Sequence, residues 1–167
     1  MIKLLNGRGQ LGDALAERVE GLRTALGEDI YIYHTWNIDD KSEQAQQRCF
    51  EDLMAFVSRN SKEKIVFVST TSHREIYYVH YKQLAEAYLL SHCPNSLVIR
   101  LPMIIGKGAV RQLKENAIKP YGTMELISLS NACEQIIKCL YYKGLRKCIS
   151  VSGEKISATT VYKILSV

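Results

Sequence analysis

The sequence predicts a truncated α/β domain, a doubly wound parallel sheet closed by a small C-terminal cap. Three observations carry that expectation. A short apolar run at the N-terminus breaks into a glycine loop and continues as a segment of helical period. Strand-like and helix-like segments then alternate. One of the strands, Lys64 to Ser69, is apolar on both faces, as a central parallel strand covered by helices on each side must be.

Ile2 to Leu5 reads as the first strand, stopped by Asn6-Gly7-Arg8-Gly9, and the apolar positions Leu11, Leu15, Val19 and Leu22 give the first helix. Ile30 to His34, rich in Ile and Tyr, is the second strand, and a long helix with one polar face follows through Phe50, Leu53, Met54 and Val57. Lys64 to Ser69 is the third strand. After Thr70 to Glu75 comes a helix from about Ile76 to Leu90, then a buried strand at Ser96 to Leu101 that Pro102 ends. Beyond Gly106 the pattern loosens into helices near Ala109 to Ala117 and Asn131 to Tyr141, a strand at Cys148 to Val151, and a last helix capped by Ser157. The four main strands should be parallel, with the first at or near a sheet edge. The functional division is a nucleotide-binding part, residues 1–105, and a small substrate-binding cap, residues 106–167, within one compact domain.

Composition narrows the function classes. A chain of 167 residues, 47% hydrophobic, can close a single core without staples or metal. Lys and Arg number 22 against 17 Asp and Glu, a net charge of +5 that suits an anionic ligand. The basic residues are scattered, which argues against nucleic acid as a partner. Five cysteines, Cys49, Cys93, Cys133, Cys139 and Cys148, have no paired spacing, so neither a disulfide framework nor a metal site is signalled. With no signal-peptide core and no apolar run of membrane-spanning length, the expectation is a cytoplasmic protein without a membrane partner.

Gly7-Arg8-Gly9-Gln10-Leu11-Gly12 lies between the first strand and the first helix, where backbone amides and a helix N-terminus can hold a pyrophosphate. Gly9 lets the backbone approach phosphate oxygens, and Gly12 lets the helix pack closely on the strand. A plain glycine turn has the same pattern, and only its place in the chain favours the nucleotide reading. Arg8 would suit the extra phosphate of NADP better than the bare ribose of NAD, and the choice between the two stays open.

Tyr78 and Lys82 are four residues apart on the third helix, so their side chains share a face. An ammonium beside a phenol favours the phenolate, which suits tyrosine to proton exchange beside a carbonyl. Thr70 ends the third strand at the carboxyl edge, where open parallel sheets bind ligands, and its hydroxyl can reach the same carbonyl. A packed tyrosine with a solvent-facing lysine is a common arrangement at this spacing, and Tyr77, His80 and Tyr81 crowd the same stretch. The order of the parts, glycine loop, buried strand, then Tyr-x-x-x-Lys, is what lends the pair weight.

In that order Leu5 to Gly12, Val66 to Thr70, Tyr78 to Lys82 with Ala85-Glu86, Leu97 to Pro102 with Gly106, and Ile149 to Glu154 with Ile156-Ser157 resemble the successive motifs of the extended short-chain dehydrogenase/reductase family. The resemblance implies a Rossmann-like fold and the NAD-dependent epimerase/dehydratase branch, which includes reductases of nucleotide-linked sugars. It implies Tyr78 as acid/base, Lys82 on the nicotinamide ribose and on the tyrosine, and Thr70 on the substrate oxygen. The cofactor, NADP or NAD, would be held by Gly7, Arg8, Gly9, Gln10, Leu11, Gly12, Lys82 and Pro102. Asn6 stands where the family has its first glycine, and the chain between the first helix and Ile30 is too short for the family's second and third strands.

Two function classes follow. One is an NAD(P)-dependent oxidoreductase or epimerase acting on a nucleotide-linked sugar. The other is a catalytically silent relative that binds a nucleotide sugar or a protein partner. A homodimer covering the edge of the first strand is a further expectation. His34, Trp36 and Asn37 follow the second strand at its carboxyl end and line the site or pack; Arg100, Lys107, Arg111 and Lys114 either reach a phosphate or serve structure.

Overall fold

The computed structural model describes residues 1–5, 9–22, 27–106, 111 and 122–165. Five strands form the main sheet: β1 (Ile2–Leu4), β2 (Ile30–Tyr33), β3 (Lys64–Thr70), β4 (Ser96–Leu101) and β7 (Lys147–Ser150), all parallel and in that spatial order. The register sets Ile2 beside Ile30, Tyr33 beside Phe67, Thr70 beside Leu101 and Val98 beside Cys148. The expected parallel order of the first four strands is therefore observed, with β1 at the sheet edge.

Alternation of side chains along each strand divides the core in two. Ile30, Ile32, Val66, Val68, Leu97 and Ile99 face α1 (Gln10–Glu20) and α4 (Leu129–Leu140), meeting Leu15, Val19, Cys133 and Ile136. Tyr33, Ile65, Phe67 and Val98 face α2 (Glu43–Asn60) and α3 (Tyr77–His92), meeting Leu53, Val57, Ala85 and Leu89. Six successive residues of β3, Lys64 to Ser69, are buried, which explains their two-sided apolar pattern.

A second, three-stranded sheet joins β5 (Met103–Ile105), β6 (Thr123–Ser128) and β8 (Glu154–Ser157), and α5 (Ala158–Leu165) packs on it through Val161. β6 runs parallel to β5 and antiparallel to β8. Strands this short carry no readable period in sequence, and their pairing is entirely long-range. Gly153, in the turn from β7 to β8, is required by close approach: a Cβ there would lie 2.3 Å from the Leu126 carbonyl oxygen. The helix expected at Ala109 to Ala117 lies outside the described residues apart from Arg111, which is helical and bonds Asp39 at 2.8 Å. Ser157 Oγ accepts from the Thr160 amide at 3.1 Å, the cap expected for the last helix.

Buried charge pins the layers together. Lys64 Nζ donates to the carbonyl oxygens of Leu140 and Tyr142 at 2.6 and 2.9 Å, satisfying the end of α4 from the base of β3. Glu86 on α3, 5% exposed, accepts from Ser69 Oγ at 2.5 Å and from Arg100 at 2.5 to 3.1 Å, tying the helix to β3 and β4. Removing the carboxylate would leave a serine and a guanidinium without partners. Glu86→Ala is expected to cost about 3 kcal/mol in urea unfolding, with Glu86→Gln intermediate because it still accepts from Ser69. An alanine variant within about 0.5 kcal/mol of the parent would remove the network from the fold's support.

Candidate functional site

Parallel strands of one sheet deliver their carboxyl ends to one edge, and the sequence-selected residues stand along it. Leu5, the last described residue before the glycine loop, gives its carbonyl oxygen to Thr35 Oγ1 at 2.5 Å. That bond fastens the entry of the loop to the residue beside Trp36. Gly7 and Arg8 lie outside the described residues. Gly9 caps α1 at φ +130° and ψ 171°, a conformation that favours glycine, and the space a Cβ would take there is open. Gly9 has no side chain with which to cap this helix end, the kind of helix N-terminus at which an anion can be held. Gly12 is buried inside the helix and Leu11 packs on the core, while Gln10 lies against Gly106 at the end of β5. Pro102, also buried, bridges β4 and β5.

Tyr78 and Lys82 do come together. Lys82 Nζ stands 5.0 Å from the centroid of the Tyr78 ring and donates to the Val68 carbonyl oxygen at 3.2 Å, two residues before Thr70. Thr70 Oγ1 accepts from the Ser72 amide at 3.1 Å, and among the described residues it shares no hydrogen bond with Tyr78. The threonine therefore belongs to the same strand end as the pair without being joined to it. A second ammonium, Lys41 Nζ, lies 4.9 Å from the Tyr78 ring centroid. Its only sequence signal was a basic residue shortly before α2, which carries no indication of where it folds.

Lys82 is only 5% exposed and its ammonium also faces Trp36 and Phe67, at 5.7 and 5.8 Å from their ring centroids. Trp36 is held there: its Nε1 donates to Gln46 Oε1 at 2.7 Å, and fully buried Gln46 donates onward to the carbonyl oxygens of Asn37 and Asp40. The two parts of this edge therefore differ: the backbone at Gly9 is open, whereas Lys82 is enclosed by aromatic rings.

The sequence matches no family model and no curated protein. Comparison with solved structures does find the fold. A nucleoside-diphosphate-sugar epimerase from Staphylococcus aureus is 15% identical, with 99% of this chain and 75% of that one covered at a TM-score of 0.75. The Bordetella bronchiseptica enzyme WbmG, solved with NAD and UDP, is 14% identical over 98% and 76% of the two chains, at 0.66. RMD from Pseudomonas aeruginosa, complexed with NADPH, is 11% identical over 99% and 84%, at 0.69. This chain has a shortened, Rossmann-like form of the fold those enzymes share. Among the described residues no helix is long and apolar enough to cross a membrane.

His34, next to Thr35 at the same edge, encloses an Nε2 atom with no hydrogen-bond partner among the described residues. Burial pushes the imidazole below its ordinary value of 6.5. The folded protein therefore resists a proton that the unfolded chain accepts, so this contribution to stability is full above 6.5 and is lost as pH falls through the lowered folded value. The urea midpoint should drop between pH 7.5 and about pH 5.5, and His34→Gln should flatten that dependence. An equal drop in the variant would place its origin elsewhere.

Proposed function

We propose that the chain is an NAD(P)-dependent oxidoreductase or epimerase that acts on a nucleotide-linked sugar. The observation that carries this reading is the Lys82 ammonium 5.0 Å from the Tyr78 ring, at the carboxyl edge of a parallel sheet that also presents Gly9. Tyr78 exchanges a proton with the sugar carbonyl or hydroxyl oxygen. Lys82 and Lys41 both stand at the ring of that tyrosine. Thr70 holds the same oxygen. Gly7, Arg8, Gly9, Gln10, Leu11 and Gly12 hold the diphosphate of the cofactor, with Lys82 and Pro102 toward its nicotinamide end, and the bound nicotinamide supplies or accepts the hydride. Arg8 favours NADP over NAD in this reading. Residues 106–167 supply the sugar's side of the cleft.

A second reading has its own support. The enclosure of Lys82 by Trp36 and Phe67, and the end of the main sheet at β1, fit a relative that binds a nucleotide sugar or protein without turnover. The outer edge of β1 has no strand partner among the described residues and is the surface a homodimer would cover.

Cofactor fluorescence and turnover separate the two. Under the enzymatic reading NADH or NADPH emission rises and shifts blue on mixing with the protein. Tyr78→Phe then lowers turnover of a nucleotide-linked 4-keto sugar by about 10²-fold or more with cofactor binding nearly unchanged, while Lys82→Met weakens both. Undiminished activity in the phenylalanine variant would exclude Tyr78 as the acid. No fluorescence response at millimolar cofactor would leave the silent reading.

A further inference from the structure

The amino edge of the main sheet, opposite the edge that carries Gly9 and Thr70, bears a surface that the proposed function does not use: the turn from α4 into β7. Three large apolar side chains stand exposed in five residues, Leu145 at 63%, Tyr141 at 48% and Tyr142 at 36%. Isolated exposed apolar residues are ordinary, but a cluster of them marks a contact surface. The cations interleaved with them, Lys138, Lys143, Arg146 and Lys147, are exposed too, and none pairs with an acid among the described residues. Between Glu134 and Glu154 the chain has no acidic residue. The acids that enter the same edge with β2 and β3 are otherwise engaged: Asp29 is held by Lys3 and the N-terminal amine, Glu28 acts on the Lys64 ammonium, and Glu63 is half-buried. The turn itself is tightly made. Lys64 fixes its base through the carbonyl oxygens of Leu140 and Tyr142, and Lys147 Nζ closes back on the Tyr142 hydroxyl at 2.9 Å. Arg146 holds a left-handed backbone at φ 51°, where glycine or asparagine is favoured, so the cation stands there against local preference.

We infer that this turn seats the protein on the surface of an anionic lipid bilayer. Leu145 enters the boundary between headgroups and chains, and the two tyrosines place their rings there with their hydroxyls toward water. Lys138, Lys143, Arg146 and Lys147 meet the anionic headgroups. Size and chemistry select this partner over other anionic ones. A stable protein interface takes about 20 to 30 residues a side, far more than one turn offers. Nucleic acid would satisfy the cations and stack on the tyrosines, but it gives Leu145, the most exposed of the three, nothing to enter. A turn lying on a bilayer needs no apolar run of spanning length, so the lack of one has no bearing on it. Seated by its amino edge, the sheet keeps its carboxyl edge free, and the inference stands apart from the proposed function.

Sedimentation of the full chain with large vesicles tests the assignment, comparing phosphatidylcholine alone with an equal mixture of phosphatidylcholine and phosphatidylserine. The protein should sediment with the mixed vesicles, less so as salt is raised, and stay in solution with phosphatidylcholine alone. Leu145→Ser should weaken binding to the mixed vesicles about tenfold, and Arg146→Gly about fivefold. Neither change should lower the urea midpoint, since Leu145 is exposed and glycine suits the backbone at φ 51°. Mixed vesicles that fail to bind the parent at millimolar lipid, or that bind the parent and both variants alike, overturn the inference. Equal, salt-insensitive binding to phosphatidylcholine alone overturns the part given to the cations. A single-stranded oligonucleotide or polyglutamate that binds as tightly as the mixed vesicles, with no response to Leu145→Ser, overturns the choice of lipid.

Discussion

Everything in this molecule is arranged around a strand that cannot face water on either side. Six consecutive buried residues of β3 demand cover above and below, and antiparallel hairpins would supply it on one face at most. Helical crossovers supply it on both. Once α1 and α4 lie on one face and α2 and α3 on the other, the strands between them must be parallel and their carboxyl ends must gather at one edge. Gly9, Thr35, Trp36 and Thr70 each stand at or beyond the carboxyl end of a strand because of this requirement, before any ligand is considered.

Charges that enter this core are held by specific partners, and each partner set has a consequence. Lys64 ends α4, and Glu86 joins a helix to two strands through Ser69 and Arg100. Lys82 differs from both. Among the described residues it meets the Val68 carbonyl oxygen and three aromatic faces and pairs with no carboxylate. Such an ammonium gains from ring quadrupoles where the other two charges gain from hydrogen-bond partners. The same rings close it off from direct approach.

The shortened chain redistributes what remains. The main sheet stops at β1, where Lys3 and the N-terminal amine both meet Asp29 at 3.0 Å. These exposed pairs add little stability. At the other end β7 joins the main sheet and leads through Gly153 into β8, so the chain beyond residue 106 contributes to both sheets. Among the described residues no strand lies outside β1.

What the sequence by itself determined was local. Two-sided apolar runs at Lys64 to Ser69 and Ser96 to Leu101 announced buried parallel strands, the place of Gly9 after a strand announced an open helix N-terminus, and a spacing of four put Tyr78 and Lys82 on one face. Each follows from a period or a backbone preference that a few adjacent residues express. Tertiary structure alone decided that Trp36 covers Lys82 and that Gln46 holds Trp36. It also decided that Lys41 reaches the Tyr78 ring, that Glu86 joins Ser69 to Arg100, and that β5, β6 and β8 form a second sheet. These contacts join residues from separate elements, and the direction of a side chain across such a gap is set by packing of the whole chain. Local pattern has no information about it, which is why the pair at the centre of the site was legible and its enclosure was not.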